Sequence, residues 1–214
     1  MAAPMQVGTE TRSMLLPARN KSLRFSQTEI RHLVLGTALS VGVGISLMVP
    51  GGYSIPVLAL GATLFCMGFI LHELAHKYVA QAYGLWAEFR VNTMGVLLSA
   101  ISIFSPFKFL APGAVVISGF ADNDRMGRTA IAGPIVNVII AMGLLLTWPI
   151  LGRTIIGPAI ISGAAINAWL ALFNLIPFWI FDGRKVFVWN KKYWTIMFGL
   201  AAVLTVYSYV LGGF

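Results

Sequence analysis

Within five residues, His72-Glu73-Leu74-Ala75-His76 holds two imidazoles and a carboxylate. On a helix, residues four apart lie on one face a turn apart, so His72 and His76 can grip one divalent ion. Glu73 projects about 100° further round, within reach of a water on that ion but not placed to ligate it. His-Glu-x-x-His at this spacing is a signature of metal-dependent peptide hydrolysis, with zinc the first choice for a nitrogen-rich tetrahedral site. The pattern alone is only moderately specific, because on a soluble helix the same residues are as readily a solvated surface.

The setting argues against that bland reading. The chain has 214 residues, is 58% hydrophobic and only 10% charged, against about 25% for a soluble domain. Residues 33–71 contain no Asp, Glu, Lys or Arg. That window has room for two spans of about 20 residues across a hydrocarbon core of about 30 Å. An unpaired His-Glu-His cluster at membrane depth is costly. A metal in a protein-lined aqueous pocket is the simplest compensation. Cys66, the one cysteine, reads as a small packing residue and permits no disulfide within the chain.

Two imidazoles do not complete a catalytic site, which takes three protein ligands and one open position. The only other histidine, His32, reads as interfacial at the mouth of the first span. Glu10, Glu29, Glu88, Asp122 and Asp124 fall in loops, tails or caps. Asp182 alone ends an apolar segment, five residues after Pro177. Pro177 removes a backbone donor and breaks the helix there, freeing the chain to aim Asp182 inward, with Gly183 permitting a tight turn. The alternative is an interfacial Asp182 facing the cytoplasm. Asn137, Asn167 and Asn174 are polar groups within apolar spans, where interhelical hydrogen bonding is the ordinary role.

The elements that must position these residues are five apolar spans, at about 26–49, 55–83, 129–151, 158–181 and 193–210. Ser26 and Glu29 have capping-box spacing ahead of the first span, and Gly84 is a helix stop after the second. The first span reads as retained rather than as a removed signal peptide. Residues 88–92 alternate, Val96 to Phe104 is apolar but interrupted by Ser99 and Ser102, and Pro106 and Pro112 are turn signals, so 85–118 read as a strand-and-turn segment of hairpin type, dipping into the membrane only where protein covers it. The fold class expected is an all-α polytopic membrane protein with a small β segment between spans two and three. Residues 1–31 form a basic N-terminal tail, and 32–214 an integral membrane domain with its core at 55–190.

Five spans also sort the charges. Fourteen of the fifteen Lys and Arg residues fall on the N-terminal side and only Arg153 on the other. The positive-inside rule then places the N-terminus and the His-Glu-His cluster toward the cytoplasm, in the plasma membrane, and the C-terminus outside. The net charge of +8 is therefore topology, not a nucleic-acid footprint.

His72-Glu73-Leu74-Ala75-His76, followed by Asn174-x-x-Pro177-x-x-x-x-Asp182-Gly183 in a multispan chain, resembles the site-2 proteases, the intramembrane zinc metalloproteases. Ala132-Gly133-Pro134-Ile135-Val136-Asn137 looks like the Gly-Pro motif of that family with its nearby Asn. The resemblance covers about residues 55–190. It implies one zinc per chain on His72, His76 and Asp182, with Glu73 as general base. It gives Asn174 a place beside the substrate or oxyanion. Asn137, Asn167, Gly133, Pro134, Pro177 and Gly183 become substrate-binding or structural positions. It implies regulated cleavage of transmembrane proteins, such as membrane-anchored regulators or signal-peptide remnants. The sequence departs from the family where many members have a second Pro and a second Gly, at Phe181 and Arg184. No PDZ or CBS domain fits in this length. A metal transporter or metal-binding membrane protein using the same ligands is the alternative, as is an inactive homologue. Oligomeric state is open.

Overall fold

A computed structural model describes residues 23–178 and 181–212, so most of the basic tail, together with Trp179 and Ile180, lies outside the described residues. The elements are α1 (Gln27–Met48), α2 (Ile55–Ala82), β1 (Trp86–Val91), α3 (Thr93–Phe104), β2 (Gly113–Ser118), α4 (Asn123–Leu151), α5 (Gly157–Asn174), α6 (Asp182–Trp189) and α7 (Lys191–Gly212). Among them, α1, α2, α4, α5 and α7 are long and apolar enough to cross a membrane. The chain is a multi-pass membrane protein, helical apart from one two-stranded sheet.

Small residues let these helices approach closely, as helix packing in lipid requires. Ala141 of α4, Ala168 and Ala171 of α5 and Ala201 of α7 are fully buried in one cluster with Val138, Leu175 and Leu204. Large apolar side chains such as Leu146, Ile150, Val203 and Val210 instead point outward, as lipid-facing residues do.

Caps set the helix ends. Gly84, at φ 83°, ends α2 in a Schellman motif, with Gly84 N–H donating to Gln81 O and Leu85 N–H to Ala80 O. Asp122 caps α4 by accepting from Arg125 N–H, so α4 starts six residues before the expected span. Ser26 caps α1 by accepting from Glu29 N–H, but the capping box does not close. The Glu29 carboxylate turns inward, takes a 2.5 Å contact from Lys77 Nζ and accepts Phe89 N–H at 3.0 Å. Lys77, one of the fourteen basic residues on the N-terminal side, is therefore buried; its ammonium also donates to Ala87 O. A buried cation is paired with a carboxylate here instead of water, which spacing alone did not reveal.

Residues 85–118 are not a simple hairpin. β1 and β2 pair antiparallel from Trp86↔Ser118 to Val91↔Gly113. The chain between them contains α3, capped by Asn92 accepting from Gly95 N–H. α3 lies along α1, where a Cβ at Gly42 would meet Ile103 at 2.8 Å. Gly42 is 15 residues into α1, so this limb reaches about 22 Å along the span. Its polar groups are satisfied within protein. Ser102 Oγ donates to Phe109 O, Ser99 Oγ accepts Ala111 N–H, and Lys108 Nζ donates to the Ser102 and Ile103 carbonyls.

The fourth span also ends earlier than expected. α5 stops at Asn174, ahead of Pro177, and the chain re-enters a helix only at Asp182. Gly183 makes no left-handed turn. A Cβ there would meet Ile176 O at 2.6 Å and Leu175 O closer still, so its role is to let α6 press against the end of α5.

Candidate metal centre

Three elements converge on one point. α2 contributes His72, Glu73 and His76, all buried; α4 contributes Gly133 and Asn137; the first turn of α6 contributes Asp182. The two Nε2 atoms lie 3.0 Å apart, and Asp182 Oδ2 is 2.9 Å from His76 Nε2 and 3.6 Å from His72 Nε2. Among the described residues this trio forms a group able to hold a metal ion, its ligand atoms within 4.8 Å of one another. The sequence separates Asp182 from His72 by more than a hundred residues; the break at Pro177 and the close approach at Gly183 bring them together.

Each imidazole is aimed by its far nitrogen. His72 Nδ1 lies 2.5 Å from Asn137 Oδ1, and His76 Nδ1 lies 2.8 Å from Thr129 O. Both partners are acceptors, so each ring places its proton on Nδ1 and turns a bare Nε2 toward Asp182, the tautomer a metal ligand needs. Asn137 is held in turn, its amide donating to Gly68 O at 3.1 Å and to Asn167 Oδ1 at 3.0 Å. Asn167 donates to Gly163 O. The interhelical bonding expected of Asn137 and Asn167 is present, and it ends on an imidazole. Replacing such an outer partner costs roughly 10- to 100-fold in metal affinity. Asn137→Leu is therefore expected to raise the zinc dissociation constant by about that factor, measured by chelator competition on purified protein.

The donor set and the space fit zinc: two imidazole nitrogens, one carboxylate and no thiol. Asp182 completes the set, its Oδ2 facing the bare Nε2 atoms of both rings. Gly133 supplies the room, since a Cβ there would come within 2.6 Å of His72 Nε2 and closer to His76 Nε2. Pro134 beside it is fully buried inside α4.

Glu73 stands apart from the trio. Its Oε2 accepts Val115 N–H of β2 at 3.1 Å. Across the same rung, Phe89 N–H donates to Glu29. With both N–H groups pointing outward, Phe89 and Val115 are a non-hydrogen-bonded pair, and alternation puts the N–H groups of Gly113 and Ile117 on the Glu73 edge of β2. A cavity of about 20 Å³ lies between that edge and the trio, lined by His76, Asp182, Thr129, Val115 and Ile117. It has room for one water. Among the described residues, Thr129 Oγ1 at its wall is buried without a hydrogen-bond partner.

Asn174 is placed differently. Its amide donates to Leu170 O within α5, and among the described residues no hydrogen bond ties it to His72, His76 or Asp182. Pro177 is exposed and acts through the helix break. Sequence reasoning missed Thr129, the Val115 backbone and the Glu29–Lys77 pair, since nothing in residue spacing marks contacts between distant elements.

Comparison with known proteins agrees with this geometry. A provisionally named zinc metalloprotease of Methanocaldococcus jannaschii is 36% identical over 187 residues, covering 81% of this chain and 91% of that protein. A second protein of the same archaeon, named zinc metalloprotease, is 32% identical over 165 residues. A provisionally named zinc metalloprotease of Mycobacterium tuberculosis, Rip3, is 28% identical over 168 residues. These alignments cover 76% and 71% of this chain but only 42% and 38% of those longer proteins. No family model and no solved structure matches. With a relative this similar along nearly its whole length, and a buried His, His and Asp cluster assembled from the motifs, the chain belongs to the site-2 protease family of zinc metalloproteases.

Proposed function

We propose that this protein is a zinc-dependent endopeptidase that hydrolyses peptide bonds of membrane-anchored proteins within the bilayer. The observation that carries this is the depth of the cluster. His72 is ten residues from the end of α2 at Ala82, about 15 Å inside a membrane-spanning helix, with its Nε2 3.6 Å from Asp182, and His76 one turn further on lines a water-sized cavity together with Asp182.

His72 and His76 through Nε2, and Asp182 through its carboxylate, would hold the zinc. When bound, zinc supplies a Lewis acid for the scissile carbonyl and acidifies water toward a pKa of about 7. Glu73 does the proton work: Oε2 is anchored on Val115 N–H, leaving Oε1 to receive the proton of the attacking water and return it to the leaving nitrogen. Asn174, bonded within α5, is assigned to the helix end rather than to the oxyanion.

A helical substrate hides its peptide bonds and must be extended first. The outer edge of β2, with the N–H groups of Gly113 and Ile117 beside Glu73, offers a strand for it to pair with. Ile117→Pro removes one edge donor without touching the trio. It is expected to lower cleavage of a single-span substrate about ten-fold with zinc content unchanged. Undiminished cleavage by that variant counts against strand pairing.

Charge supports a cytoplasmic orientation. The start of α1, the end of α2, the start of α4 and α6 meet at one end of the bundle, through Ser26–Glu88, Glu29–Lys77 and Asp124–Trp189. Setting aside Lys77 and Lys108, whose ammonium groups are bonded within protein, nine basic residues among the described ones remain on this side against Arg153 alone. The positive-inside rule makes it the cytoplasmic side.

A further inference from the structure

A second, larger cavity of about 150 Å³ lies deeper in the bundle, bounded by α1, α2, α5 and α7 and by the return limb from α3 to β2. Its walls include Leu47, Phe65, Phe109, Trp169, Leu170 and Phe173. Lys108 at its rim does not make it polar, because its ammonium is bonded to the Ser102 and Ile103 carbonyls. Leu47 and Trp169 are partly exposed, so the pocket opens at the bundle surface, and its apolar lining and volume suit one aromatic ring.

Two continuities tie this cavity to the metal centre. Phe65 and His72 are seven residues apart on α2, hence on one face and about 10 Å apart along the helix axis. Rings also bridge the gap: Phe109 packs edge-on to Phe173 at 6.4 Å, and Phe173 to Phe181 at 4.7 Å, next to Asp182. On the other side, Phe109 and Leu110 stand four and three residues before Gly113, where the edge of β2 begins. An extended chain rises about 3.3 Å per residue, so 10 Å corresponds to about three residues.

We propose that this cavity is a specificity pocket that takes one large apolar side chain, an aromatic ring or a leucine, of the substrate segment paired with β2. The side chain lies about three residues from the bond cleaved, on the side nearer Phe65. This rests on the peptidase reading above. The occupant is a substrate side chain rather than a lipid chain because the pocket lies about 10 Å along α2 from His72 and its Leu110 wall runs on, three residues later, into the edge of β2.

The test uses the purified zinc-loaded protein in liposomes and single-span substrates that differ only in Phe or Ala at each position near the cut. Burying a phenyl side chain predicts that wild type prefers Phe over Ala at one position by about 10- to 100-fold in kcat/KM. Leu170→Trp, which fills the pocket from α5, should bring that ratio close to one while zinc content and the rate on the Ala substrate stay unchanged. Leu47→Trp fills it from α1 and gives the same reading should Leu170→Trp fail to load zinc. A wild-type ratio near one at every position, or the full preference kept in both variants, overturns the pocket while leaving the peptidase. Zinc-loaded wild type that cleaves no member of the panel overturns the peptidase reading, and the pocket with it.

Discussion

Glu73→Gln is expected to stop peptide cleavage while zinc stays bound. The side chain is not among the three groups that converge, and its Oε2 is occupied by Val115 N–H. Glutamine keeps the shape and an oxygen for that contact, so β2 stays in place and the His72, His76 and Asp182 geometry is undisturbed. What disappears is a group able to accept and return a proton. General acid–base catalysis contributes about 10²- to 10⁴-fold, so the variant should lose at least 100-fold in kcat on a single-span substrate. Metal analysis of the same preparation should still find the wild-type zinc content. A transporter built on these ligands gives a different pattern, because it needs no base beside the metal and shows no cleavage in the wild type either. Substantial cleavage by Glu73→Gln contradicts the assignment of Glu73.

The second large effect comes from a residue that touches no metal. Gly133→Ala adds one carbon where the Nε2 atoms of His72 and His76 already lie 3.0 Å apart. The new Cβ would approach His72 Nε2 to 2.6 Å and His76 Nε2 more closely. Neither ring can yield easily, since His72 is held through Nδ1 by Asn137 and His76 by Thr129 O. Either the rings turn and abandon their Nδ1 partners, or α4 backs away from α2. Both outcomes pull the Nε2 atoms off the point they share with Asp182. Loss of one outer partner costs roughly 10- to 100-fold in affinity, and here both rings are displaced. Zinc affinity is therefore expected to fall about 100-fold or more, with activity falling alongside. The measurement is chelator competition, with the helical circular dichroism signal showing that the fold persists. Wild-type affinity in Gly133→Ala would mean that the metal does not sit against α4.

The parts of this site legible in the sequence are those carried by local rules. His72 and His76 declare themselves through helical spacing, and the five spans through unbroken apolar runs. Pro177 marks the helix break ahead of Asp182, whereas Gly183, expected at a tight turn, serves the close approach of α6 to α5. Gly84 and Ser26 mark helix ends. The rest needs three dimensions. Glu29 looks like a capping residue because its spacing from Ser26 is right; only the approach of Lys77 and β1 turns it inward. α3 reads as strand because Val96 to Phe104 is short, apolar and dotted with serines, and those serines turn out to bind the return limb. Asn174 shares a helix face with Asn167 by spacing, yet α5 ends at that residue and its amide turns back to Leu170. The Val115 N–H that anchors Glu73 is backbone, and no side-chain pattern encodes it.

The central claim is that residues from three elements close on one zinc at membrane depth, and zinc content tests it most directly. Purified wild type is expected to carry one zinc per chain, and Asp182→Ala to lose it although His72 and His76 are intact. A wild-type chain without zinc, or an Asp182→Ala chain that holds it as tightly, would contradict the account.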